Sequence, residues 1–150
     1  MEDNTVSKIV NARVQRWAMI ESHAQTTAAE EEFVARIDRI RARVALKLAD
    51  GIQQTDAALP RMNGNGSDAI AAVASAYRWF HDISGIGPTI GFEATGRQAR
   101  LCTNIMVSAF RAGRGLSPDE LELLTSGLET FRIAALNETH STGLNQRSAP

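Results

Sequence analysis

The chain has 150 residues, a formal net charge of −1 and a single cysteine. That length suits one ordinary domain with a real core, and the near-zero charge offers no broad attraction to nucleic acid or acidic lipid. One cysteine excludes an internal disulfide and a zinc site built on cysteine pairs. A hydrophobic fraction of 43% marks a globular chain. No apolar run approaches a membrane span and the polar start Met1–Thr5 is no secretory signal, so a cytoplasmic setting is expected.

Val6, Val10, Val14, Trp17 and Ile20 repeat at helical spacing and predict a first helix over residues 5–24. Thr27 followed by Glu30 has the form of a capping box and predicts the start of a second helix. Its stripe is Phe33, Ile37, Ile40, Val44, Leu48 and Ile52, and it should fade before Pro60. The basic residues Arg36, Arg39, Arg41 and Arg43 lie near Glu30, Glu31, Glu32 and Asp38, which reads as a solvated face and not a binding patch.

Pro60–Gly66 is the clearest loop in the chain. Ser67 or Asp68 should cap a third helix that buries Val73, Ala76, Tyr77, Phe80 and Ile83. The glycines and Pro88 of Gly85–Gly91 predict a kink or end near Gly87. A fourth helix follows, with Phe92, Thr95, Ala99, Cys102, Met106 and Phe110 on one side and a stop at Gly113–Gly115. Cys102 lies in that apolar stripe and is expected to be an inert buried thiol. Ser117, Pro118 and Glu120 supply the N-cap, first-turn proline and capping-box acid of a fifth helix, which packs through Leu121, Leu124, Leu128, Phe131 and Ala135. Residues 138–150 are expected to be a flexible tail. The reading is one all-α domain: an antiparallel up-down four-helix bundle over residues 28–137 with an additional N-terminal helix over 5–24.

The chemistry concentrates at His81-Asp82-Ile83-Ser84-Gly85. His81 lies about 100° round the helix from the inward-facing Phe80, at the solvent edge of the core stripe. Gly85, one turn on, costs a helix about 1 kcal/mol relative to alanine and leaves space for another protein's surface beside the imidazole. Ser84 shares that face and could donate to a phosphoryl oxygen. His23 and His140 read as plain surface residues, and no other catalytic constellation is evident. The glycine cluster is not a nucleotide fingerprint, because no strand precedes it and no Lys-Ser/Thr follows. A DNA-binding helix-turn-helix is disfavoured by the low positive charge of Gly91–Arg100.

With His81, Ile83, Gly85, Gly87 and Gly91 at the motif positions, the chain resembles the histidine-containing phosphotransfer (HPt) family, and its wording looks like an alphaproteobacterial subgroup. The resemblance covers roughly residues 28–136 and implies a helical bundle with His81 as phosphoacceptor. It implies partners too: response-regulator receiver domains, which would supply the magnesium, and a hybrid histidine kinase. No cofactor of its own is implied, and no ATP-dependent kinase activity. Two departures from the family pattern stand out. Ser84 replaces the usual basic residue, for which Arg78, Arg97 or Arg100 could substitute, and Pro88 sits where members often continue the helix. A phosphorylation-inactive HPt-like protein that docks a receiver or kinase is the alternative reading. A third is a structural homodimer built on residues 5–55, motivated by the two N-terminal stripes.

Overall fold

The structure, a computed structural model, describes the backbone of residues 3–147 and the side chains of residues 5–141. Among the described residues there are four α-helices, one 3-10 turn and no strand. The α-helices are α1 (Asp3–Ala58), α2 (Ser67–Thr89), α3 (Glu93–Ala112) and α4 (Pro118–Arg147). The chain divides into two compact units, Met1–Arg39 and Ile40–Pro150. The all-α expectation holds, but with four α-helices and not five.

The difference lies in α1. No helix boundary occurs at Thr27: one helix runs from Asp3 to Ala58. The Thr27 hydroxyl donates to the His23 carbonyl (2.9 Å) and the Thr26 hydroxyl to the Ser22 carbonyl (2.8 Å). Both hydroxyls are thus satisfied inside the helix and cap nothing. Residues 5–50 contain no glycine and no proline, so nothing in that stretch breaks the backbone.

Within the first unit every residue from Thr5 to Arg36 is exposed. That includes Val6, Val10, Val14, Trp17 and Ile20, and also Phe33, which was expected to start a buried stripe and is 64% exposed.

The second unit holds the core. Val44 and Leu48 of α1, Val73, Phe80 and Ile83 of α2, Phe92 and Met106 at α3, and Leu124, Leu128 and Phe131 of α4 all belong to one buried cluster. Full burial of side chains of this size contributes about 1.5–3 kcal/mol each. The Phe80 and Phe131 rings meet edge-on, with centroids 5.2 Å apart and planes at 86°, a favoured arrangement of ring quadrupoles. Gly51 gives Trp79 its place, since a Cβ there would stand 2.2 Å from the indole.

Neighbouring helices run in opposite directions. Arg41 meets Ile90 and Gly51 meets Trp79, which sets α1 against α2. Tyr77 stacks on Phe110 while Gly87 touches Gly96, which sets α2 against α3. Thr95 meets Glu138 and Cys102 lies by Gly127, which sets α3 against α4.

Two further boundaries differ from expectation, and the end of α2 falls close to the one expected near Gly87. The N-cap of α2 is Gly66, without a side-chain cap, and not Ser67 or Asp68. The helix then passes through Gly85, Gly87 and Pro88 to Thr89. Pro88 falls in the last turn, where its missing N–H removes one backbone hydrogen bond one residue before the helix ends, and it packs closely against Gly96. A Cβ on Gly96 would come within 2.7 Å of the proline ring, and one on Gly87 within 2.9 Å of the Phe92 carbonyl. These two glycines therefore permit close helix approach. Finally, α4 continues past Asn137 to Arg147, where a tail was expected; the last three residues of that tail lie outside the described residues.

Loop chemistry at the other end matches the sequence. Gly113 takes the left-handed conformation (φ 61°) and ends α3. The Ser117 hydroxyl accepts from the Glu120 amide (3.2 Å), and the Glu120 carboxylate accepts from the Ser117 amide (2.9 Å), closing a capping box. Arg114 adds a bidentate pair with Glu120 at 2.8 and 3.0 Å. Hydrogen bonding to Arg114, and next to the Ser117 amide, holds the Glu120 carboxyl down at about 2. Leu116 donates to the Met62 carbonyl (2.7 Å) and so ties this loop to the turn after α1.

Candidate functional site around His81

The site is assembled on one face of α2. Phe80 and Ile83 anchor that helix in the core, and His81, between them in sequence, is exposed. The helical repeat produces this alternation: about 100° separates neighbours, so a residue next to a core position emerges at the edge.

The imidazole is not loose at that edge. Its ring stacks on Tyr77, one turn earlier, with centroids 6.0 Å apart and planes at 10°. Tyr77 stacks in turn on Phe110 of α3, at 4.1 Å and 9°. The result is a column from α3 through a half-buried tyrosine to an exposed histidine. One face of the imidazole is thereby supported, which restricts its rotamers while leaving solvent access.

Gly85 lies one turn beyond His81. A Cβ built there meets nothing within 4 Å, and the residue is exposed. The space beside the imidazole is open, as the sequence suggested. Gly87 serves a different purpose: it faces Gly96 and is buried. Gly91 takes φ +88° at the α2–α3 turn, where a side chain would meet the Arg41 guanidinium.

Ser84 is half-buried, and its hydroxyl donates to the His81 carbonyl at 2.7 Å. Its donor is thus engaged with its own helix and is not directed outward. Arg78, Arg97 and Arg100 are all exposed. No hydrogen bond or ion pair joins any of them to His81 or Ser84 among the described residues. They are not equivalent, however. The Gly87–Gly96 and Tyr77–Phe110 contacts fix the register of the antiparallel pair, and that register sets Arg100 level with Ser84 and Arg97 level with Gly87. Helical phase turns Arg100 towards the α2 side of α3, whereas Arg97 and Arg78 point more directly outward.

One contact beneath the site was not legible in the sequence. Arg41 of α1 donates from Nε to the Ile90 carbonyl (2.5 Å) and closes the turn that follows the His81 helix. Its partner is 49 residues away, and nothing in the local pattern separates Arg41 from its neighbouring arginines. Likewise Glu138 of α4 accepts from the Thr95 amide (2.6 Å) and hydroxyl (2.7 Å), capping α3 from another helix.

Cys102 is buried, and burial pushes its thiol up to about 12, far from thiolate chemistry. Among the described residues no cluster of His, Cys, Asp and Glu could hold a metal ion, and no helix is long and apolar enough to cross a membrane. No protein-family model matches the chain, nor does any curated protein or solved structure.

Proposed function

We propose that the chain is an HPt-type phosphotransfer protein that accepts a phosphoryl group on His81 and hands it to a second acceptor. The carrying observation is a solvent-exposed imidazole, braced on one side by Tyr77, with open space at Gly85 one turn further on. An ordinary surface histidine needs neither the brace nor the gap. The packing of residues 40–141 supports the family's scaffold, an up-down four-helix bundle, with the C-terminal part of α1 as its first member.

The donor in this reading is a receiver-domain aspartyl phosphate. Neutral imidazole Nε2 attacks phosphorus, the new N–P bond forms as the P–O bond to the aspartate breaks, and the carboxylate leaves. The receiver supplies the magnesium and the acidic pocket; this chain supplies a positioned nucleophile and a face to dock on. A hybrid histidine kinase upstream and a response regulator downstream complete the relay, in the cytoplasm.

The test is transfer from phosphorylated receivers. His81 should gain an acid-labile, base-stable phosphate, and His81→Gln should abolish the label with unchanged circular dichroism. Label that survives the substitution defeats the proposal. Gly85→Leu should slow transfer by filling the docking space while leaving the nucleophile in place.

One observation favours a second reading, that of a docking protein that takes no phosphate. Ser84 stands where the family carries a basic residue, and its hydroxyl is turned onto its own helix. Under that reading, receiver binding survives His81→Ala and no transfer occurs. Under the first, Ser84→Lys should prolong the lifetime of the phosphohistidine.

A further inference from the structure

The N-terminal helix carries its own pattern, independent of His81. Val6, Val10, Val14, Trp17 and Ile20 fall within roughly 60° of one line along the helix, taking about 100° per residue. All are more than half exposed, Trp17 at 67%. Further along, the same line carries Ala24, Ala28 and Ala35, flanked within the same arc by Glu21, Glu31 and Glu32. One face is therefore large and apolar over its first half, and over its second half it is small along the midline with carboxylates at the edges. Phe33 lies on the opposite side and is not part of it.

Charge is divided the same way. From Asn4 to Ile20 the charged residues are Lys8, Arg13 and Arg16, all basic. From Glu21 to Glu32 the carboxylates Glu21, Glu30, Glu31 and Glu32 are the charged groups, with His23 the one weak base among them. A helix whose two halves are complementary in both volume and charge fits an inverted copy of itself.

We infer that residues 10–35 form the interface of an antiparallel homodimer centred near residue 22. In that register Trp17 lies over the partner's Ala28, Val10 over the partner's Ala35 and Ile20 beside the partner's Ala24. Arg13 faces the partner's Glu31. These positions recur three or four residues apart, the spacing that keeps a seam between two helices. Antiparallel helix dipoles also attract. A helix this long with no tertiary cover gains little stability from local propensity alone, and a second copy supplies the missing burial.

Sedimentation equilibrium of the full chain at micromolar concentration should give twice the chain mass. Trp17→Glu should give the single-chain mass with unchanged thermal unfolding of the bundle. Arg13→Glu and Glu31→Arg should each weaken association about tenfold, and the double variant should restore it, because the two residues meet only across antiparallel chains. Spin labels at Val6→Cys should lie about 50 Å apart, and at Ile20→Cys under about 20 Å. Single-chain mass for the natural protein overturns the inference. So does a double variant that stays dissociated, short distances at both labels, or a single-chain species that instead pellets with equimolar phosphatidylcholine and phosphatidylglycerol vesicles.

Discussion

Two regions of this protein use the same helical periodicity to opposite ends. In residues 5–36 the apolar stripe faces water. From Val44 onward, comparable stripes converge on one core that holds Phe80, Phe92 and Phe131 at 2% exposure or less. Amphipathicity fixes which face of a helix seeks cover, but not what supplies it. In the second region the cover comes from helices of the same unit, joined by short turns. In the first, no element of the unit provides any.

That contrast can be broken by mutation, beginning in the core. Phe131→Ala should cost about 3–5 kcal/mol in denaturant unfolding, because Phe80 and Trp79 both lose an edge-on partner and the cavity cannot close fully. A cost near zero would mean that the cluster is not close-packed. Glu138→Ala should cost about 1–2 kcal/mol, the size of a lost helix cap, since it exposes the Thr95 amide at the start of α3.

A smaller effect should appear with pH. The Glu120 carboxyl is held at about 2 against an ordinary 4.5, first by its hydrogen bonds from Arg114 and then by the Ser117 amide. A folded-state value below the unfolded one stabilises the fold fully above about 4.5, and the contribution is lost as pH falls from there towards 2. Thermal melts over that window should show a steeper decline for the natural protein than for Glu120→Gln. Equal slopes would show that the loop pair contributes nothing. The smallest effect is expected in the first region: Phe33→Ala, at a 64% exposed position off the proposed dimer seam, should change unfolding by less than about 0.5 kcal/mol. A larger loss would show that Phe33 has found cover after all.

Much of the candidate site is legible in the sequence. His81 at the edge of the Phe80 stripe, and the gap at Gly85, both follow from counting residues round a helix. The support from Tyr77 was only half legible. An i, i+4 pair is a sequence fact, but its stacking on Phe110 depends on how α3 packs against α2. Ser84 shows the limit from the other side: its identity was clear, whereas the orientation of its hydroxyl was not.

The sequence by itself determined the helical class, the core positions of α2, α3 and α4, the Gly113 stop and the Ser117–Glu120 capping box. All of these rest on interactions within a few residues of chain, where propensity, periodicity and capping act directly. Only the tertiary structure decided that Thr27 lies inside a continuous helix, that Pro88 is tolerated because Gly96 makes room for it, and that Arg41 and Glu138 close turns and ends belonging to other helices. Those outcomes depend on partners dozens of residues away, and no local pattern encodes a distance across the fold.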